Sequence, residues 1–437
     1  MWIRHKGFLE VVLKSWSQPV VGEPLFVLNS KLKSLKQELK SWNKEVFGNV
    51  VTLVETAEEE VLLCENQYEL SGTEKDKAAL LSAKEKHLAS LAIEEDFLAQ
   101  KSGIKWMKEG DKSTSYFHSV IKKKNRKKMI DGILDEGVWI NDKDSIADSA
   151  IKYFQSAFTG GIEVENEDQL MDLIPNLVTT EQNEMLMANP SIQEVKDVVF
   201  QMDKNSAAGP DGFNGVFFQH CWEIIGSNVH QAVCSFMAGN SLPKGMSSTV
   251  IALIPKCEDF PRFYPSGFIK GRVIQDNLLL AQELIHPLDH STHGGNVLLK
   301  LDMSKAFDML SWKFLSLIMT KFGFSAEWID RILACISNSW FSVLLNGELA
   351  GFFPSSKGIR QGDPISPGLF ALASDYLIRG LCAIMKDSPA CAYKTKCKMI
   401  IPCLAFADDC LIFGMVLKLH SQKQLCFWST TKLCLDR

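Results

Sequence analysis

Leu28, Leu32, Leu35, Leu39, Trp42 and Val46 recur at alternating steps of four and three, the spacing that lines up side chains on one face of a helix. Gly48 predicts its stop. A second helical stripe runs from about Thr52 to Leu70. Ser71-Gly72-Thr73 breaks it, and Thr73 is placed to cap a third helix through about Gln100. Two or three such helices pack as a hairpin or small bundle, ordinarily a scaffold. The segment Ile130 to Ile140 predicts a β-hairpin turning at Asp135-Glu136-Gly137, followed by a helix through Ile151, Tyr153 and Phe154. Gly160-Gly161 and the acidic stretch Glu163 to Asp168 read as a linker, and from about Ser191 the chain turns mixed α/β.

Three later segments break the ordinary pattern. Val297 to Leu301 is a mostly apolar strand that ends on Asp302. Gly358-Ile359-Arg360-Gln361-Gly362-Asp363-Pro364-Ile365-Ser366-Pro367 is a loop entering an apolar helix at Gly368 to Leu377. In Leu404 to Phe413, two apolar runs flank Asp408-Asp409, which predicts a tight hairpin with carboxylates at its tip.

Composition narrows the classes. Hydrophobic residues make up 46% of the 437 and charged residues 23%, a globular balance that excludes wholesale disorder. The formal net charge of −5 excludes a uniformly cationic polyanion binder. It leaves room for a local basic patch, and Lys122-Lys123-Lys124-Asn125-Arg126-Lys127-Lys128 is one: six of seven residues are cationic. Lys105, Trp106, Lys108, Lys112, Tyr116, Phe117 and His118 precede it, and cations interleaved with aromatics suit nucleic-acid phosphates and bases. A solvated charge run or a nuclear-import signal has the same composition. The twelve cysteines include no CxxC pair, and no run of about 18 apolar residues predicts a membrane span. Reduced, intracellular thiols follow as the expectation.

The chemistry that would need the three segments is nucleotidyl transfer. It requires charge neutralisation at an attacking oxygen, at phosphorus and at a leaving pyrophosphate, and two divalent ions about 4 Å apart meet all three needs. Carboxylate oxygens are the ligands magnesium prefers. Asp302 at one strand end and Asp408-Asp409 at a neighbouring hairpin tip can converge if their strands are adjacent. Each piece has an ordinary reading as well: a capping aspartate, a turn pair, a plain loop.

Taken in order, "LDMSKAFD", "GIRQGDPISP" and "LAFADDCLIFG" closely resemble the palm motifs of reverse transcriptases, above all those of plant non-LTR (LINE-type) retrotransposons. "KSGIKWMKEGDKSTSYFH", "NSAAGPDGFNGVFFQHCW", "IALIPK" and "SGFIKGRVIQDN" resemble further stretches of the same proteins. The resemblance implies an RNA-directed DNA polymerase using an RNA template, a DNA primer, deoxynucleoside triphosphates and two magnesium ions, with manganese as a substitute. It implies that Asp302 binds both metals, that Asp408 is the second ligand, and that Asp409 supports the metal or the primer end. Phe307 would lie beneath the incoming sugar and exclude a 2′-hydroxyl, although core packing explains the same ring. Met303 to Ala306, with Ser304 and Lys305 between, would offer backbone N–H groups to the triphosphate. Gln361 and Gly362 would lie against the template–nucleotide pair, where glycine lets backbone approach closely. Lys270 and Arg272 resemble cations that hold triphosphate, with surface charge as the other reading.

The implied fold is α/β (α+β): a helical region with a basic end (1–128), a hairpin, helix and linker (129–190), a fingers-like region (191–296), a palm with an antiparallel sheet (297–415) and a divergent tail (416–437). The family's endonuclease has no counterpart before residue 1, nor its thumb after Gly414. Between Lys256 and Gly267 the family carries some dozens more residues. These departures predict a truncated, internally shortened polymerase, nuclear if the family role is retained. The alternatives are a catalytically inactive remnant that at most binds nucleic acid, and another metal-dependent phosphodiesterase built on the same carboxylates.

Overall fold

A computed structural model of the chain describes residues 2–102, 129–160, 173–204, 206, 208–209, 211–244, 246–253, 274–289, 295–303, 305–387, 393, 401, 403–406 and 409–415, with Asp302 and Asp409 described by their backbone. The basic stretch Lys122, Lys123, Lys124, Arg126, Lys127 and Lys128 lies outside the described residues, as do Lys270, Arg272, Ser304 and Asp408 and most of the predicted linker.

The chain opens with α1 (Phe8–Trp16) and α2 (Pro24–Val46). Pro24 starts α2, where a missing N–H is harmless. Gly48, at φ +53°, lies just past its end. The leucine stripe is real: Leu28, Leu32, Leu35 and Leu39 are buried, and Val46, at its end, is exposed. α3 (Val50–Ser71) is capped by Asn49 and ends at left-handed Gly72. α4 (Glu74–Ser102) begins after Thr73, whose Oγ1 accepts from the Asp76 N–H at 3.2 Å, as its position predicts. α3 and α4 pack along each other as a hairpin. β1 (Ile133–Asp135) and β2 (Val138–Ile140) form the predicted hairpin around Glu136-Gly137, both at positive φ.

α5 (Lys143–Phe158), α6 (Thr180–Met187), α7 (Ile192–Gln201), α8 (Gly215–His220) and α9 (Trp222–Met237) follow. The stripe of α2 is buried with α1 and with Val195, Val199, Phe217, Trp222 and Ile225 of α7 to α9. A stripe reveals which face is buried but not by what, so this partnership was not visible in the spacing. Trp16 Nε1 donates to Asn228 Oδ1 of α9 at 2.8 Å, tying α1 to the same core.

β3 (Ser248–Ala252), α10 (Ile274–Ile285), β4 (Asn296–Asp302), α11 (Ala306–Met309), α12 (Trp312–Phe322), α13 (Ala326–Ser337), β5 (Trp340–Leu345), β6 (Glu348–Pro354), α14 (Ser366–Asp387), β7 (Cys403–Phe406) and β8 (Asp409–Met415) complete the described chain. Two three-stranded sheets result. One, in the order β4-β8-β7, is antiparallel throughout. The other, β3-β5-β6, is mixed: β3 runs parallel to β5, which is possible because 87 residues separate Ala252 from Trp340 and supply the crossover. α12, α13 and α14 bury Phe314, Ile318, Ile332, Phe370 and Tyr376 in one core that reaches Cys410 and Ile412 of β8. α5 covers β5 and β6 through Phe158, Phe341 and Phe353.

Truncating the fully buried Leu35 to Ala is expected to cost about 3 kcal/mol, while Leu63→Ala, 70% exposed on α3, stays within about 0.5 kcal/mol of the parent. Urea unfolding of both variants checks the contrast.

Candidate active site

Seven residues of β4 pair with seven of β8, from Asn296↔Met415 to Asp302↔Asp409. The other edge of β8 pairs with β7, ending at Phe406↔Asp409. Asp302 and Asp409 therefore meet at one end of one sheet. Directly opposed positions of an antiparallel pair set their Cβ atoms about 4.5–5.5 Å apart on one face, and like charges placed there repel. A cation between them would reverse the sign of that interaction. β8 buries apolar side chains on both of its faces. Cys410, Ile412 and Phe413 are buried, and hydrogen bonding to Cys410 together with burial pushes the Cys403 thiol up. The described cysteines are free thiols.

The turn after Asp302 is held tightly. Met303 and Ala306 are buried. Lys305 is left-handed (φ +55°, ψ +37°), a conformation that a branched or long side chain adopts only when its surroundings enforce it. Its carbonyl accepts from the N–H groups of Asp308 and Met309 at 2.8 and 3.0 Å. Its Nζ donates to Tyr153 Oη of α5 at 2.7 Å and lies 4.8 Å from the centre of that ring. Phe307 is half-buried and stacks on Phe370 of α14 at 4.8 Å and 15°. Burial pushes the Asp308 carboxyl up, against the pull of Lys305.

The loop before α14 docks onto this turn. The Gly358 N–H donates to Leu310 O and the Ile359 N–H to Phe307 O, both at 2.7 Å, and Trp312 Nε1 donates to Gly358 O at 2.7 Å. A Cβ on Gly358 would lie 2.5 Å from Asp308 O, and its φ is +85°, so both space and backbone demand glycine. Arg360 braces the loop from behind. Its guanidinium donates to Ser247 O at 3.0 Å, to Cys335 O at 3.1 Å and to Asp363 Oδ2 at 2.8 Å. Gln361 is exposed at the rim of a cavity of about 280 Å³ that Asp308 and Arg360 also line, floored by Phe154, Phe158 and Phe341. Gly362, at φ +90°, faces open space within the protein, so a Cβ there would meet nothing within 4 Å.

Asp302, Asp409, Lys305, Ala306, Phe307, Gln361 and Gly362 thus belong to one end of the β4-β8-β7 sheet and the loop docked beside it. Sequence reasoning gave no role to Gly358, Arg360, Asp363 or Asp308, although all four lie inside the quoted segments. Tyr153 carried no signal at all, because 152 residues separate it from Lys305. Among the described residues no group of three or more His, Cys, Asp or Glu could hold a metal ion, and the carboxylates of 302, 408 and 409 are not in that set. No described helix is long and apolar enough to cross a membrane.

Residues 241–425 match the family model for reverse transcriptase (RNA-dependent DNA polymerase). The chain is also similar to curated proteins of mobile elements. It is 25% identical over 461 residues to the transposon TX1 uncharacterized 149 kDa protein of Xenopus laevis, an alignment covering 97% of this chain and 33% of that protein. It is 33% identical over 112 residues, 26% of this chain, to a Pol polyprotein from type-1 retrotransposable element R2 of Popillia japonica, and 29% identical over 173 residues, 39% of this chain, to that of the type-2 element R2DM of Drosophila melanogaster. The chain covers 18% and 16% of those two proteins. Its matched region is similar to the reverse transcriptase family and to proteins of transposon TX1 and the R2 retrotransposable elements.

Two predictions follow from the loop and the turn. Gly362→Ala meets only the backbone penalty, about 1–2 kcal/mol, whereas Gly358→Ala adds a clash with backbone and loses more, as denaturant midpoints will report. Because burial raises the Asp308 carboxyl in the folded state alone, wild-type stability falls as pH rises from the ordinary carboxylate range toward neutrality. Asp308→Asn is expected to gain on the wild type across that window and to match it below; midpoints that track each other at every pH would contradict this.

Proposed function

We propose that the region 241–425 is an RNA-directed DNA polymerase domain of a LINE-type retrotransposon protein, of the kind carried by plants, in which Asp302, Asp408 and Asp409 form the catalytic carboxylate set. The observation that carries this reading is the β4–β8 register, which opposes Asp302 and Asp409 across a chain separation of more than a hundred residues. The β4-β8-β7 sheet with α12 to α14 then corresponds to the palm, and β3 lies in the fingers-like region before it.

The substrates are a DNA primer, an RNA template and deoxynucleoside triphosphates; the primer 3′-hydroxyl attacks the α-phosphate and pyrophosphate leaves. Asp302 and Asp408 hold two divalent cations, magnesium by the hardness of carboxylate oxygen, with manganese as a substitute, and Asp409 supports the metal or primer end. Bound there, the cations supply charge neutralisation at the attacking oxygen, the phosphorus and the leaving group. Met303 to Ala306, with Ser304 between, present backbone N–H groups to the triphosphate, and the left-handed Lys305 sets the direction of that turn. Phe307, fixed by its stack on Phe370, forms the floor beneath the sugar and disfavours a 2′-hydroxyl. Gln361 and the open face of Gly362 meet the template–nucleotide pair. Lys270 and Arg272 hold triphosphate, and the 122–128 stretch holds nucleic-acid phosphates.

Primer extension on an RNA template tests the proposal. The parent chain is expected to incorporate deoxynucleotides in magnesium, and Asp302→Ala or Asp408→Ala to lose about a thousandfold or more, the scale of several kcal/mol of charge stabilisation. Equal incorporation by parent and variants would overturn the carboxylate assignment. No incorporation by a folded parent would favour a remnant that binds nucleic acid without chemistry.

A further inference from the structure

The β3-β5-β6 sheet has two unlike faces. Along β5, Phe341, Val343 and Leu345 are buried toward α5, and the intervening Trp340, Ser342 and Leu344 are half-exposed on the other side. β6 would leave that face poorly populated if its alternation were strict. A bulge changes this: Phe341 pairs with Phe353 and Val343 with Ala350, so β6 carries one residue more than its partner. The extra residue is Gly351, left-handed at φ +67°, where a Cβ would lie 2.8 Å from Ile151 of α5. The bulge lets Phe352 turn outward while Phe353 and Ala350 keep the buried side.

Phe352 is 51% exposed and stacks on Trp340 with ring centres 4.7 Å apart and 17° between planes. Lys244, also exposed, places its Nζ 3.9 Å from the Trp340 ring centre and 6.0 Å from that of Phe352. Among the described residues no carboxylate pairs with Lys244. An exposed aromatic pair with a cation over one of its rings, and no carboxylate beside that cation among the described residues, is matched by a ligand that is flat, aromatic and anionic.

Its position points the same way. Trp340 stands at the end of β5 that pairs with Pro354, the last residue of β6, and residues 355–358 run from there to the site loop. On the other side, Lys244 belongs to the segment whose Ser247 carbonyl accepts from Arg360. The step is therefore one short connection away from Gln361 and Gly362 on both sides.

We propose that Lys244, Trp340 and Phe352 form a stacking step for unpaired nucleobases of a single strand leading into the site, with Phe352 stacking on a base and Lys244 meeting a phosphate. The inference rests on the polymerase reading for the strand's role as template, but its binding test does not depend on catalysis.

The test is fluorescence anisotropy of the full chain with a labelled single-stranded RNA, the DNA of the same sequence, and a blunt duplex of equal length. Phe352→Ala is expected to weaken single-strand binding about tenfold, the scale of one lost base–aromatic stack, with little change for the duplex, and Phe352→Tyr to restore it. Lys244→Ala is expected to lower the salt slope by about one. Because Phe352 is half-exposed, unfolding midpoints near the parent's will confirm that the variants fold. Unchanged single-strand affinity in both folded variants would overturn the step. So would unchanged affinity together with loss of a self-association seen in sedimentation, which would make the face a contact between copies of the chain. If the parent fails to extend primers while Phe352→Ala still weakens single-strand binding, the polymerase reading fails and the stacking step stands.

Discussion

The pairing of β4 with β8 is the constraint on which the candidate site depends. Side chains in a strand alternate with a period of two, so the register decides which core each residue of β8 enters. Cys410 and Ile412 are buried in the core of α12 to α14, and Phe413 on the opposite face with Leu284 and Tyr393. The same register opposes Asp302 to Asp409. Packing of β8 thus sets two aspartate backbone positions opposite each other, where like charges would repel and a cation between them would offset the repulsion.

The second constraint is the docking of the 358–363 loop. Backbone hydrogen bonds from Gly358 and Ile359 lock it to the carbonyls of Leu310 and Phe307, and Arg360 with Asp363 braces it from the far side. Arg360 in this partly buried ion pair also donates to two backbone carbonyls, those of Ser247 and Cys335. α5 adds a third hold, since Tyr153 reaches Lys305 while Phe158 packs under β5. An element that precedes the matched region by some eighty residues therefore supports both the turn and the mixed sheet of the candidate site.

Local features were legible in the sequence because their causes are local. The stop at Gly48, the cap at Thr73, the hairpin at Glu136-Gly137 and the strand ending on Asp302 each follow from a few neighbouring residues. The pairing of Asp302 with Asp409 was legible only as a consequence of putting the strands side by side. What the sequence hid was partnership. The stripe of α2 gave no hint of α7 to α9, and nothing near Tyr153 pointed to Lys305. The mixed β3-β5-β6 sheet was hidden for the same reason, because a parallel pair is closed by a crossover rather than by a turn with its own sequence signature. The helix after the loop was expected over Gly368 to Leu377 and runs through Asp387, since burial continues along Leu381 and Met385.

The central claim is that the carboxylates of two distant segments share cations, and iron substituted for magnesium measures it most directly. With ascorbate and peroxide, bound ferrous ion generates hydroxyl radicals that cut the backbone beside it. The account predicts cuts both near residue 302 and near residues 408–409, lost together in Asp302→Asn. Cutting confined to one segment, or cutting at both that survives the substitution, would contradict it.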